Sequence, residues 1–556
     1  MVILGLSGAV DWDVKETKWI HGSGYTVIID GQLVLSAAQE RFSRFKYDGN
    51  FSKETLDYIL KRLNLTYQDI DVVCAPNYCH SLDFGNNFNK LFPNSKIYTI
   101  DHHLCHNSAA FLTSPFRDED VNVISFDNTG AVDYQGAIYS SSYIGNNKNQ
   151  QLIHVKNENV IDSLNYCSMG QFYLGYSAYS YFKKTNILFK GIAEDPIMAE
   201  WLPGKIMGLS GFGNFNSNLI PPMQVVGMED NLYSMPKIIP SEMNDQTAHD
   251  LIIDQSPEDI AAWCQNIFEK TILEYFSKIP KSIKKNKLCF SGGCALNILL
   301  NSKIIDLGIY DDVHIPTAPN DDGLHQGAAL IKAWELEKEI ILPTNLGCIG
   351  LEYSDADVKT AINNANLTKY SVKELLFNEI VDKTAHSLKD NKIIAWYQGK
   401  SEFGPRALGN RSILANPFYN NKDYLNNKIK FREYWRPYAA IVLEDHLDEW
   451  FKIGKKDSYY MLFNSTVRED KKHKIPAVTH VDGTCRIQVV NKEQNHKLFE
   501  LLTRFFEITG IPVLLNTSFN IIKGEPIVEN PADAIKSFLN SRLDNLILHN
   551  TFIEPN

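Results

Sequence analysis

Two apolar runs, YTVII and QLVLSAA, meet at Asp30-Gly31, and this junction constrains the fold more than any other feature of the chain. An Asp-Gly pair between β-prone segments is the strongest short-range hairpin signal, because both residues tolerate the positive φ of a tight turn. ILGLSG, just before, reads as a short buried strand, and ETLDYILKRLNL, just after, has apolar residues at helical spacing. VISFDNTGAVDYQGAIYSSS reads as strand, turn, strand, and KLCFSGGCALNILLN as strand, glycine turn, helix. Hairpins alternating with helices predict an α/β domain over residues 1–345.

Near ILPTNLGCIG the pattern changes. IIAWY is a strand leading into a loop dense in Gly, Pro and Arg, and GIPVLLNTSF is another buried strand. Asn530-Pro531 is an N-cap followed by proline at the first helical position, ahead of ADAIKSFLNS. Residues 346–556 therefore read as a second α/β domain, consistent with a chain of 556 residues, which is too long for one core. The residues show no internal repeat. The net charge of −11 argues against a broad nucleic-acid surface. Nine cysteines, an odd number with no Cys-x-x-Cys pair, indicate neither a zinc ribbon nor a disulfide framework and fit a reducing cytoplasm. MVILGLSGAV lacks a basic leader, and no apolar run approaches the ~18 residues of a membrane span, so a soluble cytoplasmic protein is expected.

The stretch Asp101-His102-His103-Leu104-Cys105-His106 carries three imidazoles within five residues. On a helix His102 and His106 share a face, the usual way for one helix to supply two nitrogen ligands, while His103 points about 100° away. Asp127, in SFDNTG, and Asp321 and Asp322, in NDDGLHQ, stand at turns beside strands or small-residue helices, where metal and phosphate chemistry concentrates. Turns of this kind also form for purely conformational reasons. The glycine turns FSGGCALN (290–297) and GKIMGLSGFG (204–213) can present backbone N–H groups to phosphate, but neither has the Lys-Ser/Thr ending of a P-loop.

Residues 400–436 hold Lys400, Arg406, Arg411, Lys422, Lys428, Lys430, Arg432 and Arg436 against Glu402, Asp423 and Glu433, 8 − 3 = +5 in an acidic chain. The arginines of GPRALGNR and REYWRPYA sit among Gly, Pro, Asn and Trp, as aimed guanidinium forks do. Such forks suit phosphate and carboxylate oxygens, and an anion site is expected here.

HHLCHNSAAF, GKIMGLSGFG, SGGCALN, NDDGLHQGAAL, QGKSEFGPRALGNRSILANP, IKFREYWRPYAAIVLE, HVDGTCRIQVV and PVLLNTSFNIIKGEPIVENPADA resemble, in that order, the O-carbamoyltransferases of the NodU/CmcH type, which carbamoylate nodulation factors, cephalosporins, aminoglycosides and ansamycins. The resemblance implies an actin/hexokinase-like (ASKHA) ATPase fold in the N-terminal domain and a YrdC-like C-terminal domain. It implies that the second domain cleaves carbamoyl phosphate and joins the carbamate to ATP, giving carbamoyladenylate and pyrophosphate. A substrate hydroxyl then attacks the mixed anhydride near an iron ion in the first domain. His102, His106, Asp127 and Asp321 match the metal ligands; His and carboxylate donors also suit Mn or Zn. Asp127 counts as catalytic too. Arg406, Lys430, Arg436, Arg486, Asn516 and Ser518 match positions that hold ATP, which Mg accompanies, and carbamoyl phosphate. Gly292, Gly293 and Asn297 would receive carbamoyladenylate. His21 matches a histidine near the acceptor, suited to general-base work, and Lys46 a nearby basic residue.

Two departures stand out: His21 is followed by Gly22 where the family has Asp, and Asp127 by Asn128 where the family has Gly. A hydrogenase-maturation carbamoyltransferase would carry Cys-x-x-Cys pairs and an acylphosphatase segment, both missing here. A tRNA threonylcarbamoyl-type enzyme and a non-catalytic nucleotide-binding regulator are the remaining alternatives. The acceptor expected is a hydroxyl of a sugar, natural product or hydroxymethylated nucleotide, with hydroxymethylated pyrimidines in DNA as the polymer alternative. A homodimer is the default assembly.

Overall fold

The structure, a computed structural model of the chain, describes residues 1–8, 22–77, 84–127, 132–133, 136–147, 151–154, 159–161, 168–186, 198–215, 223–226, 237–240, 254–337, 339–419, 421–452, 454–521 and 524–556. It falls into two compact units, one made of Met1–Val34 with Tyr47–Leu342, the other of Leu35–Lys46 with Pro343–Asn556.

Asp30 and Gly31 both take positive φ, 49° and 76°, as a two-residue hairpin turn demands, and they join the strands Gly24–Ile29 and Gln32–Ala38. In the first unit Val2–Ser7 is the central strand of a five-stranded sheet. It pairs antiparallel with Gly24–Ile29 on one side and parallel with Val72–Pro76 on the other, which in turn pairs parallel with Lys96–Ile100. A second sheet repeats this arrangement. Val121–Phe126 is central, Gly136–Asn146 and then Asn159–Ile161 lie antiparallel on one side, and Lys287–Ser291 and Asp312–His314 join parallel on the other. Two sheets of one order are the duplicated core of the actin/hexokinase-like fold. The sequence hides the duplication because buried strands demand only apolar residues that pack, not the same residues twice.

The second unit is built on a ten-stranded mixed sheet. Trp396, Leu414, Ile441 and Leu514 line its core face. Against them pack Ile380 and Leu388 of the helix Phe377–Lys389 and Leu498, Leu501, Leu502 and Phe505 of the helix His496–Thr509. The last four recur at i, i+3, i+4 and i+7, a single helical stripe. Asn530 caps the helix Pro531–Leu539 by accepting from the Asp533 N–H at 2.8 Å, with Pro531 at its first position. Among the described residues no helix is long and apolar enough to cross a membrane.

Candidate metal centre and anion site

The helix His102–Leu112 starts directly after the strand Lys96–Ile100, and Asp101 caps it, accepting from the Leu104 N–H at 2.8 Å. That cap fixes the helical phase, so His102 and His106 present their Nε2 atoms to one point. Asp127 ends the central strand of the second sheet, and its Oδ2 lies 3.2 Å from both Nε2 atoms. Asp321 Oδ1 completes the group at 3.7 Å from His102 and 3.4 Å from His106. One donor atom from each of the four residues fits within 4.8 Å of the others, and three of the four residues are buried. Asp322 is drawn off by Asn320, which donates to its Oδ2 at 3.1 Å. His103 turns away to Ser125 Oγ, 3.2 Å from its Nδ1.

The surroundings orient the donors. Gly293 N–H donates to Asp127 Oδ1 at 3.0 Å, leaving Oδ2 for the imidazoles. Gly292 can bring this turn in because its φ is +82° and a Cβ there would run into the Phe126 carbonyl. Gly22 has φ +77°, and a Cβ on it would stand 2.6 Å from the carbonyl carbon of Asp321. The departure at this position is therefore a steric fit against a candidate ligand. Burial alone would lower the His106 imidazole, but hydrogen bonds and charge from Asp127 and Asp321 outweigh it and raise its pKa to about 9. Burial would raise the Asp127 carboxyl, and its two histidine partners instead hold it well below the usual carboxylate range. Two nitrogens and two carboxylate oxygens held this close in a buried site suit a divalent transition ion.

The remaining expected residues of this unit fall as follows. Asn297 caps the helix Ile298–Asp306 and exchanges two 3.0 Å hydrogen bonds with Gln265, whose Oε1 also accepts from Tyr173 at 2.6 Å. His21 and Asn128 lie outside the described residues. Lys46 belongs to the second compact unit and donates to both oxygens of Glu40, at 2.6 and 2.8 Å.

In the second unit the sheet register builds the candidate anion site. Arg486, Ala439 and Asn516 stand side by side on three adjacent strands, so their side chains share one face. Ala439, between them, is too short to fill the gap. Arg406, Arg432 and Arg436 are near enough to act on the Arg486 charge. Burial first, and then these three cations, push the Arg486 guanidinium well below its ordinary pKa. Lys430 is depressed likewise, by burial and then by Arg432 and Arg436, with Glu525 opposing. Arg432, stacked 4.0 Å over Tyr438, is lowered by burial to about 10. Lys430 Nζ docks on the carbonyls of Ser518 and Asn520 at 2.8 and 2.7 Å and on Ser518 Oγ at 3.3 Å. The Asn516 amide donates to Ala407 O and Gln488 Oε1, both at 3.0 Å, which fixes its orientation. Its buried Oδ1 then has no donor among the described residues, and neither has Arg486 Nε an acceptor.

Not every arginine of the basic stretch is aimed at an anion. Arg411 is fully buried, stacked 3.6 Å over Tyr397, and its fork grips the carbonyls of Gln398, Gly399 and Glu529 at 2.6, 3.1 and 3.2 Å. The expectation of an anion fork there is corrected: with the Asn410 carbonyl at 3.1 Å, backbone oxygens take four of the five N–H directions of a fully buried fork. Glu402, counted in the sequence only as a negative charge, organises the loop that carries Arg406. Its Oε1 accepts from the backbone N–H groups of Leu408, Asn410 and Arg411 at 2.8, 2.8 and 2.9 Å.

The chain thus combines an actin/hexokinase-like unit carrying a four-donor candidate metal site with a second unit carrying a cluster of buried cations. The family model described as Carbamoyltransferase N-terminus matches residues 81–330, and that described as Carbamoyltransferase C-terminus matches residues 385–555. The chain is 30% identical to the uncharacterized protein MJ1051 of Methanocaldococcus jannaschii over 96% of this chain and 98% of that protein. It is 28% identical to the nodulation protein NolNO of Sinorhizobium fredii over 100% of this chain and 82% of the relative. It is 36% identical to the nodulation protein U of Rhizobium tropici, over 48% and 45% of the two chains. Among solved structures, full-length HypF in its phosphate- and nucleotide-bound form is similar at a TM-score of 0.38 and 16% identity, covering 60% of this chain and 56% of that one. The chain belongs to the carbamoyltransferase family and is a carbamoyltransferase enzyme.

Proposed function

We propose that this carbamoyltransferase is a cytoplasmic, ATP-dependent O-carbamoyltransferase that passes the carbamoyl group of carbamoyl phosphate to a hydroxyl of a small-molecule acceptor by way of carbamoyladenylate. The observation that carries the reading is the pairing of opposite hydrogen-bonding needs in the second unit. Crowded guanidinium and ammonium groups require an anion, and beside them the Asn516 Oδ1 is a buried acceptor without a donor among the described residues. Carbamoyl phosphate meets both needs, with phosphate oxygens at one end and an amide NH₂ at the other.

The chemistry follows from the charges. Hydrolysis of carbamoyl phosphate, consuming one water, gives carbamate and phosphate. A carbamate oxygen then attacks the α-phosphorus of Mg-bound ATP, and pyrophosphate leaves. Arg406, Lys430, Arg436 and Arg486 offset the repulsion between two anionic reactants and stabilise the charge that grows on the phosphate oxygens. Ser518, touching Lys430, and Asn516 fix the orientation of the carbamoyl end. A YrdC-like role for the second unit fits this division of labour.

In the first unit an acceptor hydroxyl attacks the carbamoyl carbon, and the bond from that carbon to the AMP oxygen breaks. His21 takes the hydroxyl proton, a role that rests on the family resemblance; the resemblance also offers Lys46, but that residue belongs to the second compact unit and its ammonium is paired with Glu40, so no step is assigned to it. Gly292, Gly293 and Asn297 stand on the turn assigned to the adenylate. A divalent ion held by His102, His106, Asp127 and Asp321, Fe(II) by resemblance and Mn or Zn by donor chemistry, would supply Lewis-acid polarisation of the carbamoyl oxygen. Asp127, held through Oδ1 by Gly293, keeps its other oxygen fixed toward the imidazoles whatever enters the site.

The test is to incubate the protein with ATP and carbamoyl phosphate, with no acceptor, and to follow AMP, ADP and pyrophosphate by chromatography and phosphorus NMR. Pyrophosphate that depends on carbamoyl phosphate is the expected result. ADP, or no turnover after iron is restored, would overturn the carbamoyladenylate route.

A further inference from the structure

The segment Leu35–Lys46 is separated by about 300 residues of chain from the rest of its compact unit, and it brings two arginines with it. Arg41, buried, donates to the Gly404 carbonyl at 3.1 Å, in the loop that carries Arg406. Arg44 reaches further. Its Nη1 donates to Ile527 O at 2.6 Å, its Nη2 to Pro526 O at 3.0 Å and to Glu525 Oε1 at 3.2 Å, and its Nε lies 3.6 Å from Asp533. It does so from a φ of +61°, at the C-cap of the helix Gln39–Ser43, a left-handed conformation that side chains other than glycine's resist. Its own N–H closes the helix on Glu40 O at 3.0 Å, and the side-chain contacts add to that hold.

What Arg44 grips is the base of the loop on which Lys430 sits. Glu525 Oε2 accepts from the Ile521 N–H at 2.9 Å, and Glu525 O accepts from Asn520 Nδ2 at 2.6 Å. Asn520 in turn accepts from Ser518 Oγ at 2.8 Å through its Oδ1, and from the Lys430 ammonium through both its carbonyl and its side-chain oxygen. That ammonium donates to four oxygens, two of Ser518 and two of Asn520. Its position is therefore set by where the loop lies, and the loop is tied down at Glu525.

We propose that Arg44 is a positioning residue of the anion site, acting through Glu525 and Asn520 on the ammonium of Lys430. Arg44 touches no substrate in this scheme. It orients a carboxylate, which closes a loop, which sets a cation. The inference rests on the reading of the cationic pocket as the anion site.

Binding of inorganic pyrophosphate to the full-length protein, measured by calorimetry without turnover, tests it in a double-mutant cycle of Arg44→Met and Lys430→Met. One misplaced charge-assisted hydrogen bond corresponds to about a tenfold loss of affinity, which is the change expected for Arg44→Met in the wild-type background. In the Lys430→Met background the same substitution changes affinity less than about twofold, because its target is gone. Arg44→Lys behaves as Arg44→Met, since an ammonium cannot grip three acceptors as a fork does. Equal losses in both backgrounds would reduce Arg44 to general stability, and no loss in either would overturn the relay outright. Should Arg44→Met fail to fold, Glu525→Gln breaks the same chain one link later and carries the cycle. Wild-type protein that binds pyrophosphate but makes none from ATP and carbamoyl phosphate refutes the proposed function and leaves this inference standing. Wild-type protein that binds no pyrophosphate overturns both.

Discussion

Raising the pH from 7 to 9 will strengthen the uptake of a divalent ion by the four-donor site, and the magnitude follows from one imidazole. A metal ligand must be the neutral ring, whereas His106, between Asp127 and Asp321, is raised to about 9 in the metal-free chain. At pH 7 only about one molecule in a hundred then has the neutral ring, so apparent affinity stands about 100-fold below its high-pH limit. Each pH unit up to 9 recovers about tenfold, or about 1.4 kcal/mol. Asp127 adds no proton, because it is already held ionised well below the usual carboxylate range. Chelator-competition titration with Co(II) or Zn(II) between pH 6.5 and 8.5 reads the slope, and calorimetry in buffers of different ionisation heat reads about one proton released per ion. A pH-independent affinity with no proton release would refute the reasoning. The same shift has a stability signature in the metal-free protein. A pKa raised above the ordinary 6.5 stabilises the fold fully below pH 6.5, and that contribution is lost as pH rises through about 9. The depressed Asp127 works oppositely: its contribution is present above the ordinary 3.8 and lost as pH falls through its lower folded value.

Three further outcomes are expected. Gly22→Ala forces a Cβ to 2.6 Å from the Asp321 carbonyl carbon at φ +77°, so it costs about 1–2 kcal/mol of stability and weakens metal binding while leaving pyrophosphate binding unchanged. Metal titration alongside calorimetry of pyrophosphate separates the two. Glu402→Ala orphans three buried N–H groups at about 1–3 kcal/mol each, so chemical denaturation will show a loss of at least about 3 kcal/mol, with Glu402→Gln losing less because its amide oxygen still accepts. Arg486→Met removes a buried guanidinium that the proposed function assigns to the substrate anion, and the expected result is a KM for carbamoyl phosphate about 10- to 100-fold higher in steady-state assays, with the acceptor KM little changed.

How much of this was legible beforehand depended on how local the physics was. The Asp30-Gly31 turn and the Asn530-Pro531 cap are written in adjacent residues, and both form as local propensity dictates. The His102/His106 pair is likewise local, but its two aspartates come from a strand end and a turn up to 219 residues away, 321 − 102, and only the resemblance linked them in advance. Charge type was visible in GPRALGNR and charge partner was not. Arg406 and Arg411 are five residues apart in one loop, yet one faces other cations and the other is sealed by carbonyls. Glu402 looked like a neutralising charge and is a loop organiser, because backbone N–H direction cannot be read from residue names. The repeated sheet order escaped notice for a different reason: topology is shared where side chains are not.

The strap Leu35–Lys46 carries a consequence for how the protein is made. The ribosome releases it well before the partners of Arg41 and Arg44, which lie from Gly404 to Asp533, roughly 360–490 residues later. At about 5–20 residues per second the nascent strap waits on the order of 20–100 seconds with its guanidinium groups unmatched, while the residues between it and Leu342 emerge around it. The first unit must therefore mature without drawing the strap into its own core, and the strap's charges serve as the safeguard: an arginine that is costly to bury alone stays in water until its carbonyls and carboxylates arrive. Of these two units synthesis order completes the second one later, and it closes on a piece of chain made well before the rest of it.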